Sequence, residues 1–208
     1  MLFSPDPTPE EECEKSSNPN NRDSCFALIA EVGNVQRTCG KILNSLLKDQ
    51  CFAHVAEEAG DAALCGFLGG PKDDCLNAVA QAVSDVDVCG QMQFSDRKDA
   101  CVVSLVKNGG SPEWCNRVLS LEIRDSCFSD AAALQRLPAL CAYMSTSTDG
   151  CYFRVATDMR DGGTCALLGV SSMRDKCYSD IAVLTKDSLL CAKIKMLTAR
   201  RECVQKVK

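Results

Sequence analysis

Apolar residues follow eight of the sixteen cysteines at fixed distances, in a pattern typical of helices. Cys25, for example, is followed by Phe26, Ile29 and Ala30, at one, four and five residues. This spacing places the apolar side chains on one face of a helix, and the alternation typical of a strand is not seen. At the fifth position alanine occurs six times and would allow neighbouring helices to approach closely: Ala30, Ala56, Ala80, Ala132, Ala156 and Ala182.

The cysteines themselves are spaced as a repeat. Their separations run 12, 14, 12, 14, 10 and 14 residues, and the series then starts again. The same positions therefore recur every 76 residues, as Cys13, Cys89 and Cys165 do, and each period contains units of 26, 26 and 24 residues. The spacing predicts an all-α fold: a disulfide-stapled α/α solenoid of eight short helical hairpins.

Two disulfide pairings fit this spacing. Pairing across the 14-residue separations would leave Cys13 and Cys203 without partners, whereas pairing across the separations of 12 and 10 uses every cysteine. In a helical hairpin the second scheme also places both cysteines near the loop, within the short reach of a disulfide. The favoured pairs are Cys13–Cys25, Cys39–Cys51, Cys65–Cys75, Cys89–Cys101, Cys115–Cys127, Cys141–Cys151, Cys165–Cys177 and Cys191–Cys203.

An aspartate stands two residues before the second cysteine in seven of the eight units. The sequence predicts that these aspartates lie in the first turn of the long helix, where a carboxylate caps free N–H groups and complements the helix dipole. Six of them follow a lysine or arginine, which also predicts ion pairs between repeats. A ladder of this kind could alternatively bind cations or a ligand. Its members are Asp23, Asp49, Asp73, Asp99, Asp125, Asp149 and Asp175.

The first cysteine of each pair is predicted to lie in a shorter helix. Good N-cap residues precede it by four positions, and Ser111-Pro112 places proline at the first helical position. The long helices are expected to span about ten or eleven residues, with Gly33, Gly60 and Gly109 as C-terminal stops. Residues 13–208 are thus predicted to form a single repeat domain, preceded by a Pro- and acid-rich tether at residues 1–12.

Composition narrows the classes of function. The net charge of −5 argues against the basic surface that nucleic-acid binding requires, and no apolar run is long enough for a transmembrane segment. There is no CxxC motif, and His54 is the single histidine, so zinc fingers and thioredoxin-type motifs are absent. Sixteen cysteines without these motifs favour disulfides, and hence an extracellular, cell-surface or periplasmic location, although no signal peptide is visible at residues 1–12.

The repeated Lys/Arg-Asp-x-Cys motif also resembles a motif of known proteins. The motif occurs as RDSCF at 22–26 and 124–128 and as RDKCY at 174–178, and in each case the next cysteine follows fourteen residues after the motif's cysteine. This pattern resembles that of uncharacterised cysteine-repeat proteins of prokaryotic surfaces. The architecture is similar to that of Sel1-like cysteine-rich solenoids, in which a disulfide staples each helix pair. The resemblance implies a stapled helical repeat and no particular activity.

The leading hypothesis is a non-enzymatic extracellular structural or interaction protein that binds protein partners and needs no cofactor. In one variant the chain binds copies of itself and forms a surface assembly or filament. The alternative is storage of Cu(I) by cysteine thiolates, but the CxxxC spacing that would suit such a store on single helices does not occur. Catalysis has no support, because no Gly-rich phosphate loop or nucleophile elbow is present and His54 is expected to be a surface residue.

Overall fold

A computed structural model of the chain describes residues 7–33 and 36–207. These residues contain helices and connecting loops and no strand, which confirms the all-α, disulfide-stapled repeat. Eight disulfides, each between two successive helices, define repeats 1 to 8 in chain order. Part of the predicted tether, residues 1–6, lies outside the described residues.

Each repeat has one short and one long helix. The short helices are α1 (Pro9–Glu14), α3 (Gln36–Cys39), η1 (Ala62–Phe67), α6 (Val86–Gly90), η2 (Pro112–Arg117), η3 (Pro138–Tyr143), η4 (Thr164–Leu167) and α11 (Ser188–Cys191). Those labelled η are 3-10 helices, which suit short pieces. The long helices are α2 (Pro19–Gly33), α4 (Ser45–Ala59), α5 (Asp73–Val83), α7 (Ser95–Lys107), α8 (Leu121–Leu134), α9 (Thr148–Met159), α10 (Ser171–Thr185) and α12 (Leu197–Val207).

The long helices have 11 to 15 residues and most are therefore longer than predicted. In α4 the helix begins at Ser45, six residues before Cys51, because Asn44 accepts the N–H of Leu47 as its N-cap. The helix ends at Gly60, whose φ of 66° is the left-handed C-terminal stop expected from the sequence. In other repeats a non-glycine residue adopts the same conformation, as Lys186 does with φ of 56°.

The start of the first repeat differs from the predicted tether. Helix α1 begins at Pro9, and Thr8 and Glu11 form a capping box in which each side chain accepts the backbone N–H of the other. This Thr-x-x-Glu pattern with proline at the first helical position is a sequence signature of a helix start. Residues 9–12 are therefore part of repeat 1.

The chain separates into two compact units, one ending at Cys101 and the other beginning at Val102, and the division falls within α7. In the first unit α4 packs against α2 and α5; in the second α9 packs against α8 and α10. The alanines five residues after the second cysteine have no exposed surface, as the close helix contacts require. Around them are buried the largest core side chains, among them Phe26, Ile42 and Val79 in the first unit and Phe128, Leu168 and Ile181 in the second.

Candidate functional site

The eight disulfides join the cysteines in the same pairs that the spacing favours. Their Cα atoms lie 5.5 to 5.8 Å apart, within the ordinary range for a disulfide. All sixteen cysteines fall within the described residues and none is a free thiol. Each bond fastens a short helix to the long helix that follows, so every hairpin carries its own covalent closure.

The aspartates of the ladder join successive repeats, which differs from the predicted role of capping their own helix. In six of them the carboxylate accepts two backbone N–H groups, 20 and 21 residues ahead, over N···O distances of 2.7 to 3.1 Å. We call this pair of hydrogen bonds the aspartate latch. The latches are Asp23 to Leu43 and Asn44, Asp49 to Gly69 and Gly70, Asp73 to Gln93 and Phe94, Asp125 to Ser145 and Thr146, Asp149 to Gly169 and Val170, and Asp175 to Lys195 and Met196.

In α10 the early start of the helix accounts for the difference. Asp175 is the fifth residue of α10 and lies beyond the first turn, and its carboxylate accepts the N–H groups of Lys195 and Met196. In α5 and α9, which follow the shorter ten-residue separations, Asp73 and Asp149 do lie in the first turn, yet they too hold the next repeat. Asp99, the seventh member of the ladder, is buried as well.

Burial and hydrogen bonding have opposite effects on the pKa values of Asp125 and Asp175. Burial of Asp175 raises its pKa, but the N–H groups of Lys195 and Met196 together lower the pKa below its ordinary value. Burial also raises the pKa of Asp125, but the hydrogen bonds donated by Ser145 and Thr146 lower this pKa below its ordinary value. These carboxylates are thus ionised at neutral pH, and each of these two latches engages both carboxylate oxygens.

The basic residue before the ladder aspartate has a separate role. In repeats 3 and 7 it donates to a carbonyl oxygen at the end of its own short helix, six residues earlier. Arg174 donates to Leu168 O at 3.0 Å. Arg200 makes the corresponding bond to Ile194 O at 2.8 Å in repeat 8, where Arg201 replaces the ladder aspartate. Such bonds satisfy carbonyl groups that the short helix leaves without a partner. The Lys/Arg-Asp pair therefore closes its own hairpin with one side chain and holds the next repeat with the other.

A ring contact forms a second link between repeats. In four repeats the residue after the second cysteine is covered by a side chain 15 residues ahead, in the next repeat. Phe52 stacks on Phe67 and Phe128 on Tyr143, with ring centroids 5.2 and 5.5 Å apart. Lysine provides the cover in two other repeats, where the Lys41 ammonium lies 5.4 Å from the Phe26 centroid and that of Lys193 lies 5.6 Å from the Tyr178 centroid.

The latches also display apolar side chains. In four of them a residue that donates its N–H to the aspartate carries a large apolar side chain that is at least half exposed. These residues are Leu43, Phe94, Val170 and Met196. At each of these residues the carboxylate holds the backbone N–H group, while the apolar side chain is exposed to solvent.

Candidate metal ligands are not gathered in the described part of the chain. His54 lies on the exposed side of α4, as expected. No group of three or more His, Cys, Asp and Glu side chains in the described ranges is placed to hold a metal ion. None of the helices described is both long and apolar enough to cross a membrane.

Sequence reasoning missed the latch and the ring contact because each links residues of different repeats. The regular signal was nevertheless present: in all six latches the aspartate and the residues it holds are 20 and 21 positions apart, including repeats of different length. Comparison of the chain with known protein families, with curated proteins and with solved structures finds no match.

Proposed function

We propose that the chain is a non-enzymatic extracellular structural or interaction protein, a rigid helical-repeat scaffold that presents a fixed surface to protein partners. The observation that carries the proposal is the combination of a disulfide within each repeat and a latch between repeats. A disulfide removes conformational freedom from a hairpin too short to be stable alone. The latch then fixes where the long helix of the next hairpin begins, so that apolar side chains such as Met196 are displayed in a defined place.

An oxidising location follows from the same chemistry. Disulfides persist in extracellular and periplasmic compartments, whereas cytosolic reductants open them. The resemblance of the Lys/Arg-Asp-x-Cys motif to proteins of prokaryotic surfaces points in the same direction. A chain whose hairpins are closed covalently would keep its form in surroundings rich in proteases and poor in chaperones.

The first experiment maps the disulfides. Proteolysis of the alkylated but unreduced protein should release linked peptides for all eight pairs, and alkylation without reductant should modify no cysteine. Modification of all sixteen cysteines would reject the scaffold and favour thiolate storage of Cu(I), whose ligands would then be available. The oxidised protein should also resist trypsin far longer than the reduced protein, because local opening is needed for cleavage.

A second experiment tests the self-assembly variant of the proposal. Native mass is measured over a range of protein concentrations, at low and at high salt. A mass that rises with concentration supports an assembly of identical chains. A constant monomer mass rejects the filament variant and leaves a scaffold for other protein partners.

A further inference from the structure

A cleft of about 530 Å³ lies in the second unit, between η2 and η3 and against α8. Ligand sites typically have volumes of about 300 to 1,000 Å³ and combine an apolar lining with a few polar groups. Its lining combines the aromatic rings of Phe128 and Tyr143 with the polar side chains of Glu113, Asn116 and Gln135. The cleft is therefore built by two consecutive repeats, 5 and 6.

The apolar side of the cleft is aromatic and open to solvent. Phe128 is 1% exposed and forms the base, and Tyr143 stacks on it with an interplanar angle of 20°. Tyr143 itself is 63% exposed. One face of the Tyr143 ring thus rests on Phe128, while its remaining surface is available to a ligand.

The polar side of the cleft is rich in hydrogen-bond acceptors. Among the described residues that line it, Glu113 carries the only charge. The amide nitrogen of Asn116 donates to the Glu113 carbonyl oxygen at 3.1 Å, and that of Gln135 donates to Gly110 O at 3.1 Å. With these NH₂ groups engaged by the backbone, the two side-chain oxygens and the Glu113 carboxylate offer acceptors to a ligand.

In other repeats the ring that follows the second cysteine is contacted by a cation of the chain itself. Phe26 and Tyr178 occupy the position of Phe128, directly after the second cysteine, and each is covered by a lysine ammonium of the next repeat. Tyr143 stands at the position of those lysines, two residues after the first cysteine. In repeat 6 a tyrosine ring thus stands where repeats 2 and 8 carry a lysine, as the Phe67 ring does in repeat 3, and most of the Tyr143 side chain is open to solvent.

We propose that this cleft binds a lysine or arginine side chain of a partner protein, within a segment that has apolar residues on either side. The cationic group lies between the Glu113 carboxylate and the Tyr143 ring, and the flanking apolar residues contact Leu137 and Leu140, which also line the cleft. The net charge of −5 favours the approach of a basic segment. This proposal rests on the proposed scaffold function and assigns the class of partner.

The test uses the full oxidised chain and a short fluorescein-labelled peptide of alternating leucine and lysine, with a peptide of leucine and glutamate as its counterpart. Fluorescence anisotropy should show binding of the lysine peptide that weakens with added salt, and no binding of the glutamate peptide. Glu113→Gln should weaken binding by about tenfold through loss of a charge-assisted hydrogen bond. Tyr143→Leu, which keeps an apolar side chain, should weaken it by about threefold through loss of the ring face.

Glu122→Gln is the matched control, since Glu122 is exposed on α8, does not line this cleft, and its loss changes the net charge equally. This variant should bind within a factor of about two of the unaltered chain, as expected for a distant surface charge. Equal binding of both peptides, or equal losses in Glu113→Gln and Glu122→Gln, would overturn the cleft as a cation site. Disulfide mapping of each variant separates that outcome from failure of the scaffold, which would appear as free thiols.

Discussion

Asp175 in repeat 7 holds the backbone of Lys195 in repeat 8, with its Oδ1 atom accepting the N–H group at 3.0 Å. The second oxygen accepts from Met196 at 2.9 Å, and the aspartate is 5% exposed. A buried carboxylate that accepts two N–H groups just before α12 fixes where that helix begins. The same relation recurs along the chain, so one residue type at one position sets the junction between repeats.

Asp175→Asn should loosen the junction of repeats 7 and 8. The neutral amide turns one acceptor into an NH₂ group facing N–H donors, so we expect a loss of about 1 to 3 kcal/mol in local stability. Native-state hydrogen exchange at the amides of Lys195 and Met196 measures it directly.

Asp180→Asn is the control for this change. Asp180 lies on the same helix and pairs with Lys176 across one turn at the surface. An exposed pair of this kind contributes about 0.5 kcal/mol or less. Faster exchange at Lys195 in both variants to the same extent would contradict a specific latch.

Acid should weaken the latches. The pKa values of Asp125 and Asp175 are lowered in the folded protein from the ordinary 3.8. Their contribution is therefore complete above pH 3.8 and is lost as the pH falls through the lowered folded-state values. The midpoint of guanidinium unfolding, measured from neutral pH into acid, should decrease over this window.

The double variant Asp125→Asn with Asp175→Asn provides the comparison for the acid series. It should be less stable at neutral pH and show a flatter decline in acid, because two of the shifted groups are missing. An unchanged slope would show that the acid sensitivity has another source.

Removing one disulfide should destabilise its own hairpin. Replacement of both Cys165 and Cys177 by alanine opens a loop closed over a sequence separation of 12 residues. The chain-entropy argument gives a loss of about 3 kcal/mol for a loop of this size. Hydrogen exchange should accelerate most in η4 and α10, and least in repeat 5. Uniform acceleration over the whole second unit would instead indicate that its repeats unfold together.

Lys186→Gly should stabilise the end of α10. Lys186 has φ of 56°, in the left-handed region where a side chain crowds the following carbonyl. Glycine avoids this crowding, and we expect a net gain of about 0.5 to 1 kcal/mol in the free energy of unfolding. Lys186→Ala retains the crowding and should give no gain, which separates backbone relief from removal of the lysine charge.

Phe67→Leu should weaken the junction between repeats 2 and 3. The ring of Phe67 stacks on Phe52, and an aromatic pair contributes about 0.5 to 1.5 kcal/mol beyond the area it buries. Phe94→Leu is the matched control, since Phe94 is exposed to a similar extent, 55% against 63%. Equal effects on the unfolding midpoint in the two variants would contradict a stabilising stack.

Much of each hairpin was predictable from the sequence. The apolar residues after Cys25, Cys51 and the corresponding cysteines identify the buried face of each long helix, because buried positions recur with the period of the helix. Asp61, Asp85 and Asp187 act as N-caps of short helices, as predicted, because an N-cap needs only residues within the same turn. The length of the long helices was less accessible, since it depends on caps such as Asn44 that vary between repeats.

The sequence by itself determined the helical class, the repeat period and the residues that line each hairpin, since all of these depend on neighbours within a few turns. Only the tertiary structure decided what the ladder aspartates hold, which side chain covers Phe128, and that Glu113 and Tyr143 border one cleft. These relations join different repeats, and their geometry follows from how one hairpin packs on the next. A periodic sequence shows that such a junction recurs, while the atoms that meet across it are set by packing.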